Sequence, residues 1–427
     1  MAGTISIVKA ILMFGRAFYN TAAQLLGRII SAAIGFATTL ILAQTLGLAN
    51  YGEFIKITAF ISLFYPAVDL GLNAVYLRDY KKDINQKLGG FIGLRIFLGG
   101  LWLLVSLFLI HLISYINPAF SPVTRLGVVV AGLALPGYGA YLAVTAYFQN
   151  RERLDVVAAL STLGNVVTLA LIVATAHVFS QKLETGAVLA IGMTTAGTVF
   201  SGGLGILLTP RRLLKQFQPL PSWTSQIIKR AWPLGLTLVL NIIYFRADTL
   251  ILASFLGNAA VGAYGLAYKF FEFVLVIPTF FMNSLYPNLV DQKSSRSLWP
   301  FFQKMVLLML VVGSALAMMT FMGAGLLPLV RSEYTASVPI LKILSLGVPV
   351  FFVTSPLMWF MVLQQQVKPL LYIYATAAAL NIVLNLVFVP HYGSQAAAVI
   401  TAATEVLVLI LELGYIKHLK LWQRQTN

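Results

Sequence analysis

The chain has 427 residues, 59% of them apolar and only 10% charged, with a mean hydropathy of +0.87. A soluble domain carries about 45–50% apolar and about 25% charged residues, so no water-soluble packing hides this much apolar surface. The lack of cysteine excludes disulfides, thiolate metal sites and cysteine nucleophiles, and four scattered histidines (His111, His177, His391, His418) argue against a zinc site.

A bilayer-spanning helix takes about 20 apolar residues. Apolar runs between polar breaks predict twelve of them, at 19–46, 54–77, 89–115, 123–148, 155–179, 186–209, 232–256, 264–289, 301–329, 338–362, 370–389 and 394–416. The first run continues past signal-peptide length with no small-residue cleavage site, so no signal peptide is expected. Connections are short and leave no room for an extramembranous catalytic domain. The longest polar stretch, 210–230, carries Pro219, Pro221 and a cluster of bases. It reads as a cytoplasmic linker between two six-helix lobes, 1–209 and 231–427.

The net charge of +16 then divides by side of the membrane. Of 29 Lys and Arg, 21 fall on the termini and the even-to-odd loops, and 6 on the other side. By the positive-inside bias both termini lie in the cytoplasm. The basicity reports topology, with lipid headgroups as its neighbours, and gives nucleic-acid binding no support.

Residues 39–47 read TLILAQTLG and residues 249–257 read TLILASFLG, an offset of 210. A weaker correspondence sets Asn165 against Asn381 and Leu154 against Leu370, at an offset of 216. Both pair span n with span n + 6. The expected fold is an all-α polytopic membrane protein of twelve transmembrane helices in two parallel six-helix repeats around a central cavity. In the first span Gln24, Arg28, Ser31 and Thr38 fall on one polar stripe; shifted by 210, Ser31 meets Asn241 and Thr38 meets Asp248. Two such stripes are expected to face each other across the cavity.

Ionisable groups inside spans cost several kcal/mol unless paired or facing water, so each is a functional candidate. Arg28 offers a permanently charged donor fork suited to phosphate oxygens, or a structural ion pair. Lys269 and Glu272, three apart, pair on one helix face, and Arg246 points sideways, toward Glu272. With Asp248 they form a charge cluster, read either as substrate or ion coupling or as a structural lock. Asp69, between Pro66 and Gly71, marks a gating bend or a plain capped kink. Glu405 and Glu412 share one face of the last span, with Glu412 close enough to the cytoplasmic end to be solvated there. Asn165, Asn381 and Asn385 read as interhelical hydrogen-bonding groups rather than ligands.

Several stretches carry a family resemblance: LGLANYGEF (46–54), VDLGLNAVYLRDY (68–80), YFQNRERLD (147–155), YFRADTLILASFLG (244–257), VGAYGLAYKF (261–270) and LNIVLNLVFVPHYGSQAAA (380–398). Over nearly its whole length the chain resembles the Wzx-type oligosaccharide flippases, the polysaccharide transport family of the MOP superfamily. Gln395 departs from the Gly-Ala-Ala usual there. The resemblance implies MOP/MATE-like lobes and no enzymatic centre. It implies transfer of an undecaprenyl-pyrophosphate-linked oligosaccharide repeat unit (O-antigen, capsule or exopolysaccharide) from the cytoplasmic to the periplasmic leaflet of a bacterial inner membrane. Arg28 is then the first choice for the diphosphate, with Gln24, Ser31, Thr38, Asn241, Asp248, Arg246, Lys269 and Arg78 along the path. Asp248, Glu272 and Asp69 are candidates for coupling or gating. No cofactor is expected beyond a coupling proton or sodium ion. A glycan polymerase and a chain-length regulator are the protein partners such a cargo implies.

A MATE-type cation-coupled exporter of organic cations is the first alternative, disfavoured by a stripe that offers Arg28 and no acid. A major-facilitator transporter would carry a Gly-x3-Asp-Arg-type loop after the second span, absent from 78–90. A glycosyltransferase would need a long outward loop.

Overall fold

The computed structural model describes residues 2–80, 83–181, 185–292 and 299–418, with side chains of the first helix described from Leu26 onward. The expectation for the Gln24 side chain lies outside the described residues. Helices and turns account for all regular structure among the described residues, because lipid offers an open backbone no hydrogen-bond partner. The amino-terminal half comprises α1 (Ala2–Ser62), α2 (Tyr65–Asp69), α3 (Leu72–Asp79), α4 (Ile84–Ile116), α5 (Pro122–Gly132), α6 (Ala134–Asn150), α7 (Leu154–Gln181) and α8 (Gly186–Leu208). After the short α9 (Arg211–Leu214) come α10 (Thr224–Gln292), α11 (Trp299–Gly323), α12 (Ser337–Leu363) and α13 (Val367–His418). Two 3-10 turns, Ala324–Leu329 and Ser332–Ala336, join α11 to α12.

Nine stretches among the described residues are long and apolar enough to cross a bilayer. Three of them, Leu26–Asp79, Thr224–Met282 and Val367–His418, have 54, 59 and 52 residues, about twice what one crossing needs. Each is broken by a glycine: Gly47 (φ 73, ψ 173), Gly257 (φ 76, ψ −176) and Gly393 (φ 71, ψ −158). That region of backbone space is essentially closed to other residues. Taken as two crossings each, the three account for the expected twelve. Gly47 and Gly257 end the two copies of the repeated TLILA block, and their backbones match closely. The internal repeat is thus visible as the same turn in both halves.

The two halves meet chiefly through α1 and α10. The first crossing runs beside the eighth: Phe36 packs on Phe270 and Phe273 with ring centroids 4.8 Å apart in each case, and Arg28 lies over the Phe280 ring at 5.9 Å. The second crossing runs beside the seventh, where Gly71 faces Leu234 and Gly235 faces Leu70. We call the end that holds Arg78, Arg151, Arg211 and Arg230 the basic end, and the end that holds Gly47 and Gly257 the glycine end.

The second crossing is not one helix. It breaks where Leu70 (φ 45) and Gly71 (φ 70) are both left-handed, freeing carbonyls that a continuous helix would have used. Arg95 of α4, fully buried, donates to those carbonyls, at 2.7 Å to Val68 and 2.8 Å to Asp69, and reaches the Asp69 carboxylate at 3.1 Å. Asn73 accepts a further bond from the same guanidinium.

The polar stretch between the halves lies on the basic end of α4. Gly89 and Gly93 admit the backbone of residues 213–219, and Trp223 sits against Tyr76, Tyr80 and Phe91 with centroids 5.5–6.5 Å apart. Helix α10 starts at Thr224, inside the expected 210–230 linker.

Candidate functional site

At the glycine end the halves are locked together by a buried polar node. Glu53 and Lys56, three apart on α1, pair at 2.8 Å with side chains 5% and 1% exposed. Asn258 of the other half donates to Glu53 at 2.6 Å and accepts from Lys56 at 2.9 Å. Thr124 donates to the other Glu53 oxygen at 2.5 Å, and the Ala119 carbonyl takes a further Lys56 proton at 2.8 Å. Burying both charges is tolerable because every member has several partners. Beside this node Glu333 accepts the Leu48 backbone N–H at 2.9 Å, and the Tyr334 hydroxyl donates to the Ala43 carbonyl at 3.0 Å. At the basic end Asp79 bridges Arg78 (2.7 Å) and Arg230 (2.8 Å), one from each half.

Between these ends lies a central cavity of about 240 Å³. Its walls are rich in hydroxyls (Thr58, Ser62, Thr194, Thr195, Thr198, Thr249), with Tyr65 and Tyr268. Its charged members are Arg246 and Lys269, each about 17 Å along its helix from Gly257, near the middle of the crossing. Both bind Glu272, at 2.9 Å and 2.8 Å: Lys269 as its three-residue spacing predicted, and Arg246 sideways across to the next helix. Two cations against one acid leave the cluster with an excess positive charge. Glu272, held by both, is committed to that lock.

Arg28 sits apart from this cluster, toward the basic end of the first crossing. It is exposed and has no carboxylate partner among the described residues; its contact is the Phe280 ring of the opposite half. An unpaired guanidinium between two lobes inside a membrane is costly unless an anion or water meets it.

Several expected site residues are placed elsewhere. Asp248 does not face the cavity: it is 2% exposed and accepts from the Thr249 N–H at 2.6 Å and from the Tyr264 hydroxyl. Positions two apart on a helix are about 200° apart around its axis, so with Arg246 turned to the cavity Asp248 turns into its own half. Ser31 likewise bonds Thr162 of α7 at 3.1 Å. Thr38 lines a separate cavity of about 340 Å³ within the amino-terminal half, and Asn241 lines another of about 240 Å³ within the carboxy-terminal half. The two polar stripes therefore open on separate cavities inside their own halves and do not face one another across the central one. Arg78 lies on the basic rim, 67% exposed and bound to Asp79, away from the path. Asp69 is clamped by Arg95, a capped kink and no free acid.

The carboxy-terminal cavity holds an acid whose role the spacing left open. Glu405 accepts from Thr354 at 2.5 Å and Tyr244 at 3.2 Å, and lines the cavity with Asn241 and Tyr374. Asn381 and Asn385 bond one another and Thr404 nearby. Glu412, expected to be solvated, is fully buried, and among the described residues neither of its oxygens meets a donor in bonding geometry; Tyr374 lies close by. Its place on one face with Glu405 was readable in the sequence; its burial was not.

The fold is similar to that of known transporters. A lipid II flippase, MurJ, in an inward closed conformation superposes with a TM-score of 0.76 at 13% identity, covering 92% of this chain and 87% of that one. A eukaryotic MATE transporter gives 0.64 at 16% identity, covering 97% of each chain. A Vibrio cholerae MATE transporter in its bent form gives 0.55 at 17%, covering all of both. The fold is thus the two-lobed one of the MOP superfamily. A search of curated proteins returns no match. The MatE family description matches residues 233–387, within the second half. The description "Polysaccharide biosynthesis protein" matches residues 17–293, well over half the sequence, and the chain belongs to that family.

Proposed function

We propose that the protein flips an undecaprenyl-pyrophosphate-linked oligosaccharide repeat unit, a precursor of O-antigen, capsule or exopolysaccharide, from the cytoplasmic to the periplasmic leaflet of a bacterial inner membrane. The basic end then faces the cytoplasm, and both termini lie there. The observation that carries this reading is Arg28: an unpaired cation between the lobes, near the leaflet from which a diphosphate would enter. A guanidinium fork matches phosphate oxygens, while the hydroxyl-lined central cavity suits a glycan and the prenyl tail stays in lipid. Arg246 and Lys269 take over the anion near mid-membrane. Opening the Glu53–Lys56–Asn258 node while the Arg78–Asp79–Arg230 bridge holds the basic end shut passes the head group outward by alternating access. The protein supplies no bond-making chemistry in this cycle. A glycan polymerase and a chain-length regulator would act on what it delivers.

Coupling to a proton or sodium ion is assigned to Glu405 and Glu412. Glu272 and Asp69 are held in ion pairs and Asp248 turns into its own half. Glu405 instead lines a cavity, and Glu412 lies buried on the same helix face with no donor in bonding geometry among the described residues. The MatE match over the second half favours a rival reading, export of organic cations. The excess of cations over acids along the inter-lobe path speaks for an anionic cargo. Deleting the gene separates the two: stranded lipid-linked oligosaccharide on the cytoplasmic face supports the flippase. Unchanged glycan export with lost drug efflux supports the exporter.

A further inference from the structure

The cavity inside the amino-terminal half has a character unlike the charged path beside it. Its wall is built from Gly35 and Thr38 of α1, Tyr138 and Tyr141 of α6, Asn165 and Thr168 of α7, and hydroxyls of α8. Among the described residues no acid or base lines it, and Thr194 and Thr198 line both this cavity and the central one, so the two adjoin. A strip of aromatic rings joins them. Tyr65, on the central side, meets Tyr138 edge-to-face at 4.7 Å, and Tyr138 lies nearly parallel to Tyr141 at 6.2 Å.

The repeat makes Asn165 conspicuous. Its counterpart Asn381, 216 residues on, is 2% exposed and spends its amide on Thr404 and Asn385. Asn165 is partly exposed into a cavity and has no hydrogen-bond partner among the described residues. The same residue type at equivalent places is a structural bolt in one half and an unspent donor and acceptor in the other. A half-buried amide without partners loses hydrogen-bonding energy unless a ligand or water supplies it.

We infer that this cavity is a recognition subsite for an uncharged sugar ring of the cargo, with Asn165 bonding ring hydroxyls and the Tyr138–Tyr141 strip receiving an apolar sugar face. The inference rests on the flippase reading proposed above. The volume of about 340 Å³ is at the small end of the about 300–1,000 Å³ typical of small-ligand sites, enough for one or two rings. A carboxylate-bearing sugar would shed water there with no lining cation to replace it.

The test uses the full-length protein in lipid nanodiscs and three short-chain prenyl pyrophosphates: bare, carrying one neutral hexose, and carrying one hexuronic acid. The wild type should bind the hexose compound about tenfold tighter than the bare one, a difference of about 1.4 kcal/mol, and the hexuronic compound less tightly than the hexose. In Asn165→Ala, which breaks no internal bond, and in Tyr141→Ala the bare and hexose compounds should bind alike. A hexose advantage that survives both substitutions, or a hexuronic acid bound as well as the hexose, overturns the subsite while leaving the flippase standing. If the wild type binds none of the three, the flippase reading fails and takes the subsite with it.

Discussion

Gly52 and Gly262 are 210 residues apart and occupy the same place in the two halves, each set against the backbone of the other half. A Cβ on Gly52 would lie 1.8 Å from the Asn258 carbonyl oxygen, and one on Gly262 would lie 2.1 Å from the Leu48 carbonyl oxygen. Asn258 and Leu48 are themselves 210 apart, so the contact is reciprocal, as across a two-fold axis. The obstructing atoms are backbone and cannot swing aside. Closure at the glycine end therefore depends on two missing methyl groups.

Gly52→Ala is expected to pry that end open. The chain has no native cysteine, so a single Thr58→Cys in the central cavity reports access without background. Its labelling by a membrane-impermeant maleimide added from the outside should rise about tenfold in the Gly52→Ala background, as a cost of about 1.4 kcal/mol on the closed state requires. Unchanged labelling would show that the close approach does not gate access.

The Glu53–Lys56–Asn258 node should behave as a buried ion pair. Lys56→Met strands the Glu53 carboxylate and should cost about 3–5 kcal/mol, read as a lower Tm of the purified protein. Adding Glu53→Leu should recover much of that loss, because no unpaired charge is left buried. Equal or additive losses would contradict a coupled pair.

Arg95 and Asp69 allow the kink to be separated from coupling. Arg95→Met removes two backbone caps and uncovers the Asp69 carboxylate, and folded yield should fall sharply. Asp69→Asn keeps the two bonds to backbone carbonyls and should keep near-normal transport. Loss of transport in well-folded Asp69→Asn would return Asp69 to a coupling role.

In proteoliposomes with an imposed proton gradient, Glu405→Gln or Glu412→Gln should remove the acceleration of flipping that the gradient produces. Asp248→Asn should not, because its carboxylate turns away from the cavities into its own half, onto Thr249 and Tyr264. Full acceleration in both glutamate variants would exclude these two as the coupling site.

What the sequence revealed was whatever repeats or is local. The TLILA blocks marked the repeat whose two copies end in the same break, at Gly47 and Gly257, and the spacing of Lys269 and Glu272 predicted their ion pair. What it hid was which neighbour a helix face meets. Asp248 followed from the repeat as a cavity residue, yet the polar face of that helix is divided between a cavity and the inside of its own half. Arg95 falls along the chain among the basic-end charges, and only packing shows that it is buried under a kink. Asn165 and Asn381 are alike in sequence, and only the hydrogen-bond partners on the next helix separate them. Glu53 and Lys56 share the three-residue spacing of Lys269 and Glu272, but that spacing does not show that the pair is buried and completed by Asn258, 205 residues away.

The claim at the centre of this account is that Arg28 meets a diphosphate. Flipping of a prenyl-pyrophosphate-linked oligosaccharide in proteoliposomes, followed by its exposure to an impermeant glycan-binding reagent, tests it directly. Arg28→Ala should reduce the initial rate by about a hundredfold, equivalent to about 2.7 kcal/mol, while Arg28→Lys retains a measurable part of it because the charge stays and the planar fork is lost. A wild-type rate in folded Arg28→Ala would contradict the account.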